Sequence, residues 1–195
     1  MIVSMINAPL SLQYTVLGML SGRPPCTDGD YGDAVDMLWP TEMVRMGTVF
    51  IQALTALHQQ VGCQMPLVQR EWAWCSADLA AHIAMWYGDD GGLTYAMFPE
   101  GGRGDPVAIS ARCSFIKGVL LRKGFWDETQ QYWAVPVADL AWGFVLYQVL
   151  LDLRWYGTTM VYEAIEGPLV VVTIPISPFA EHLMATPWPW ENDPA

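Results

Sequence analysis

Positive charge is what this sequence has least of. Lys and Arg number nine among 195 residues and Asp and Glu twenty, a formal net charge of −11. Affinity for nucleic acid comes mainly from Lys and Arg set against phosphates, so this balance argues against direct binding of nucleic acid. Charge of either sign is also sparse, at 15% of residues, where roughly 25% is usual in a soluble domain. A DNA mimic would need denser carboxylates than that. Long apolar runs are missing too. The nearest candidate, residues 140–151, is interrupted by Gln148 and bounded by Asp139 and Asp152, short of the roughly 18 residues that cross a bilayer. Residues 1–22 are apolar but have no basic segment ahead of the apolar stretch, so they do not read as a secretion signal. Cys26, Cys63, Cys75 and Cys113 show no C-x-x-C spacing and read as reduced thiols of a cytoplasmic protein without membrane contact.

What the chain has in quantity is apolar and aromatic surface. It is 53% hydrophobic, with ten Trp, eight Tyr and eleven Met, enough to bury a core and to exclude disorder. The length suits one domain. Residues 1–185 are expected to form it, and residues 186–195, with Pro187, Pro189 and Pro194, an extended tail. Three Gly-, Asp- and Pro-rich segments, 21–33, 88–92 and 99–106, mark turns. No internal repeat is visible.

Helix signals are strongest in four places. Residues 41–61 follow Pro40 and stop at Gly62, with Met43, Gly47, Phe50, Leu54, Leu57 and Val61 on one face. Residues 106–123 are closed by Gly124, with Ile109, Cys113, Ile116 and Leu120 inward, and a shorter helix starts at Ser76. Residues 139–156 are apolar nearly all round, which predicts a central buried helix. Residues 158–164 and 169–174 are β-branched runs separated by a turn and read as a hairpin. Weaker strand signals lie at 67–74, 93–98 and 129–135. Helices and strands do not alternate, so the expected class is α+β: a single compact domain of about four helices around a buried central helix, with a small antiparallel sheet.

Chemical motifs are weak. Asp28, Asp30, Asp33 and Asp36 form the densest acidic cluster, but a calcium loop counted from Asp28 needs Gly sixth and Glu twelfth, where Asp33 and Trp39 stand. Cys75 precedes a helix whose N-terminus would stabilise a thiolate. His82, seven residues on, lies about 10 Å along that helix, too far to be its base. His58, Cys63, Cys75 and His82 match no common zinc spacing. Arg112, Lys117, Arg122 and Lys123 hold four of the nine basic residues. Their position near a helix C-terminus favours complementing the helix dipole over an anion site. Trp142 and Trp155 belong to the core, and Trp72 and Trp74 to one strand face.

Carboxylates beside aromatic anchors are the material of protein interfaces. The sequence therefore predicts an acidic protein-binding module: an inhibitor, immunity-type or adaptor protein covering the basic surface of a partner protein. No direct nucleic-acid binding, cofactor, metal or catalytic residue is expected. The contacting residues are Asp28, Asp30, Asp33, Asp89 and Asp90, with Trp188 and Trp190 as anchors. Two alternatives stand beside it. One is a small hydrolase or transferase using Cys75 or a carboxylate pair; the other is a structural subunit that covers its apolar surface as a homo-oligomer.

Overall fold

The computed structural model describes residues 9–20, 25, 33–38, 40–88, 93, 95–101, 105–137, 140–163 and 169–191. Helix α1 (Leu12–Met19) carries no charge and is followed by strand β1 (Ala34–Met37). Pro40 opens α2 (Pro40–Gln60), at a position where a missing N–H removes no helix bond. Gly62, with φ 70°, ends that segment in the left-handed region. Met46, Gly47, Phe50, Ala53, Leu54 and Leu57 are buried on α2, and Met43 and Val61, expected on that face, only lean against the core. Strands β2 (Val68–Arg70) and β3 (Ala73–Cys75) form a hairpin turned at Glu71, where φ is 53°. Helix α3 (Ala77–Ala84) completes the first half.

The second half begins with α4 (Pro106–Lys123), which has a full set of end signals. The Asp105 side chain accepts from the Val107 N–H at 2.9 Å, Pro106 takes the first turn, and the Gly124 N–H returns to Leu120 O. Strands β4 (Phe125–Asp127) and β5 (Tyr132–Val137) follow, then α5 (Leu140–Asp152). The predicted hairpin is present as β6 (Thr159–Glu163) and β7 (Leu169–Pro175), paired antiparallel. Helix α6 (Pro178–Ala185) is capped by the Ser177 hydroxyl, which accepts from the Ala180 N–H at 3.2 Å. Residues 93–98 do not form the expected strand. Leu93 makes only an isolated bridge to Tyr87, and Tyr95–Met97 form a 3-10 turn. The turn aims Phe98 inward, stacked on Tyr14 at 5.4 Å and edge-on to Phe115 at 5.2 Å.

The two halves repeat one topology. The first sheet has the order β1-β3-β2 and the second β4-β5-β7-β6. Without β4 the orders coincide, and in each half a helix leads into the sheet, a second precedes the hairpin and a third follows it. The expectation of no internal repeat is corrected here. The repeat lies in the connectivity, which different side chains satisfy equally well, so the sequence barely retains it.

The chain is an α+β domain of six α-helices and two small antiparallel sheets among the described residues. Its central helix is α4, with twelve of eighteen residues buried, and not α5. On α5, Phe144 is 54% and Leu140 46% exposed. An all-round apolar sequence suggested the centre, but α4 reaches it with charged side chains that find partners inside.

Candidate functional site

Helices α1 and α4 cross at two glycines. A Cβ on Gly18 would fall well inside van der Waals contact of the Phe115 carbonyl and 2.9 Å from the Val119 nitrogen. A Cβ on Gly118 would meet the Thr15 carbonyl as closely and lie 2.9 Å from the Met19 nitrogen. The two sets of contacts exchange when residue numbers shift by 100, so the crossing is a pseudo-twofold axis between the halves. Ser114 Oγ accepts from the Ser11 N–H at 2.7 Å, and the Ser110 hydroxyl donates to Pro9 O at 2.5 Å, fastening the outer end of the pair.

The basic residues of α4 are internal fasteners. Arg122 donates to Met19 O at 2.8 Å, to Met37 O at 2.6 Å and to Glu42 Oε1 at 2.9 Å, and pairs with Asp36. One side chain thus ties the end of α1, strand β1 and the start of α2 to α4. Burial opposes its charge, but Asp36 and Glu42 outweigh that and hold the guanidinium above its ordinary range. Arg112 donates to Asp152 at 3.0 Å and to the Tyr95 hydroxyl at 2.7 Å. Lys117, fully buried, donates to Thr186 O and lies 4.1 Å from the centre of the Trp188 ring. Burial pushes its ammonium down to about 8, with Glu191 opposing the shift. Lys123 sits 4.0 Å over the Trp142 ring. Arg122 and Lys123 stand in the last turn of α4, as the dipole reading expects, and Arg122 in addition is paired internally.

No described element packs over the outer face of the second sheet, which is partly exposed. Strand alternation turns Trp133, Val135, Val137, Val170, Val172 and Ile174 toward the helices. It leaves a row Phe125–Ala134–Thr173–Thr159 across all four strands on the other side. Tyr132 and Val161 extend this face; Phe125 is 57% and Val161 46% exposed. Arg45 lies 5.4 Å over the Phe125 ring. The Asp127 carboxylate is turned into the hairpin, accepting from the Thr129 and Gln130 N–H groups. The first sheet differs: Ala34, Ala73 and Cys75 form a separate buried cluster there. Sequence reading missed the open face because the pattern of β5 and β7 shows which residues alternate, not which side the helices take.

Of the residues predicted to contact a partner, Asp33 is exposed in the turn before β1. Asp28, Asp30, Asp89 and Asp90 lie outside the described residues. Trp188 and Trp190 stack on each other at 5.2 Å and lie partly buried against the core, with Pro189–Glu191 in a 3-10 turn. Trp188 covers Lys117 of its own domain. Trp142 and Trp155 are core residues, as expected. Trp72 and Trp74 do not share a strand face: Trp72 stands in the hairpin turn, 44% exposed, while Trp74 is buried.

Cys75 is buried, and burial raises its thiol, the reverse of what a nucleophile needs. The Ser76 hydroxyl donates to Met65 O and does not cap α3. His58 Nε2 is 2.7 Å from Met65 O, and His58, Cys63, Cys75 and His82 do not come together as a metal site. The hydrolase reading on Cys75 is therefore withdrawn.

No family model matches the chain, and no curated protein matches its sequence. Solved structures do. The chain is similar to mesophilic variants of the homing endonuclease I-DmoI, at 12% identity and TM-score 0.61, over 90% of this chain and 96% of that one. It is similar to I-DmoI in complex with its target DNA nicked in the coding strand, in the presence of Mn, at 13% identity and TM-score 0.60, over 90% and 96%. It also resembles I-DmoI in complex with DNA and Mn, at 11% identity and TM-score 0.58, over 90% and 97%. These likenesses overturn the acidic protein-binding module, in its inhibitor, immunity-type and adaptor forms, together with the basic protein partner and the exclusion of direct nucleic-acid contact. These three structures are of an endonuclease, two of them with DNA, and this chain shares their fold.

Proposed function

We propose that this chain binds nucleic acid on the outer face of its second sheet and does not cleave it. The observation that carries the reading is that open face, held by a fold in which I-DmoI is seen with its target DNA. The face is aromatic and nearly uncharged, so affinity comes from stacking unpaired bases on Phe125 and Tyr132 more than from neutralising phosphates. Single strands are therefore preferred over duplex. A cytoplasmic location is in keeping with this reading, and no helix among the described residues is long and apolar enough to cross a membrane.

I-DmoI is seen in complex with DNA and Mn or Ca, and with its target DNA in the presence of Mg. The donor set here does not fit such an ion. A hard divalent cation takes six or more oxygens, several of them from carboxylates. Among the described residues no three His, Cys, Asp or Glu side chains are placed to hold a metal ion. The two carboxylates drawn to the end of α4, Asp36 and Glu42, are paired with Arg122. Position 123, at the last turn of α4, is a lysine.

Anisotropy of labelled single-stranded and duplex oligonucleotides tests the reading. The expected result is single-strand binding at low salt, weakened roughly tenfold by Phe125→Ala or Tyr132→Ala. No binding of either oligonucleotide at low salt, or binding indifferent to both substitutions, would overturn it.

A further inference from the structure

On the helix side of the same sheet, a pocket of about 410 Å³ opens between the β4–β5 hairpin and α6. Trp126, Trp133, Ile176, Ala180, Glu181 and Met184 line it. Pockets that hold small ligands start at roughly 300 Å³, so the space suffices for one. Trp126 and Trp133 are cross-strand partners whose rings meet at 5.6 Å and 57°, an angled corner of two indole faces. Glu181 supplies the one ionisable side chain of the lining. It stands in the first turn of α6, and none of the ion pairs among the described residues involves it.

This lining selects by chemistry. An anion would face Glu181 and the negative faces of two indoles, in a protein of net charge −11. A sugar or other many-hydroxyl ligand would find apolar walls on nearly every side and lose its hydrogen bonds to water without replacement. An apolar body with one positive charge gains from burial against Ile176, Ala180 and Met184 and from attraction to the two indoles, with Glu181 as the one acid of the lining.

We propose that the Trp126–Trp133–Glu181 pocket binds an organic cation of the alkylated ammonium class, a site separate from the nucleic-acid face and independent of that reading. The probe is benzyltrimethylammonium, with 4-tert-butylbenzyl alcohol as an uncharged molecule of similar bulk, each titrated into the full chain by calorimetry and by NMR of the indole N–H signals. The cation should bind about tenfold more tightly than the alcohol and perturb Trp126 and Trp133. Glu181→Gln, at an exposed position that leaves folding intact, should weaken the cation roughly fivefold and leave the alcohol unchanged. Trp126→Leu should weaken the cation more than the alcohol. Equal affinity for the two probes, an unchanged cation affinity in Glu181→Gln, or no binding of the cation at millimolar concentration would each overturn the proposal.

Discussion

Lys117 shows how a residue can be misread from its type. Lysine inside a helix ordinarily marks a solvated face, yet this one is fully buried against Trp188 and the Thr186 carbonyl. Burial lowers its folded pKa from 10.5 to about 8. The unfolded chain therefore binds more protons than the native state between those two values, and stability rises with pH across that window. The buried Cys113 thiol and Tyr87 hydroxyl, both pushed up by burial, act in the opposite sense in this range, so the check is a difference: from pH 7 to 10.5 the denaturant midpoint of the native protein should gain on that of Lys117→Met. At pH 7 that variant should be no less stable, since a hydrophobe of like volume replaces a buried charge at little or no cost. Arg122 behaves differently because it is paired. Arg122→Met deprives Asp36, whose side chain is 4% exposed, of its guanidinium. That should cost about 3–5 kcal/mol in chemical denaturation. Adding Asp36→Leu to Arg122→Met should recover part of the loss.

At the scale of elements, the crossing of α1 and α4 decides the architecture. Its closeness depends on the absence of two side chains, at Gly18 and Gly118. What a Cβ would strike is backbone, which cannot rotate away as a side chain can. Gly118→Ala or Gly18→Ala should therefore destabilise by about 3 kcal/mol or more, measured by thermal or urea unfolding. Gly47→Ala is the control: its Cβ would meet only the Met43 side chain, at 3.5 Å. It should be neutral or slightly stabilising, because alanine is the better helix former. The β4–β5 and β6–β7 hairpins show the complementary case. Their alternation fixes a two-faced sheet, and α4 and α5 pack on one face of it.

For the whole molecule, the question is how a protein of net charge −11 could hold a polyanion. Its nine Lys and Arg are fewer at the surface than in the sequence, because Arg112, Lys117 and Arg122 are buried. Arg70 and Arg154 are exposed. Few phosphates can then be neutralised, and log K against log salt should have a slope no steeper than about −2. A steep slope would mean that phosphates carry the binding and that Phe125 and Tyr132 do not. The same titration thus checks both the existence of the interaction and its physical source.

The sequence by itself determined the α+β class, the ends of α2 and α4 and the β6–β7 hairpin. These rest on local rules: proline and acid at helix starts, glycine at stops, β-branched runs around a turn. It also placed Trp142 and Trp155 in the core. It could not assign the central helix, because burial of Arg112, Lys117 and Arg122 depends on partners 40 to 103 residues away in the chain. It hid the repeat, because pseudo-symmetry here survives in backbone approach at two glycines and in strand order. It pointed to an interface made of acids and tail tryptophans, whereas the tail tryptophans turn inward. Only tertiary structure decides which face of a sheet remains open, since that depends on where the helices of the same half come to rest.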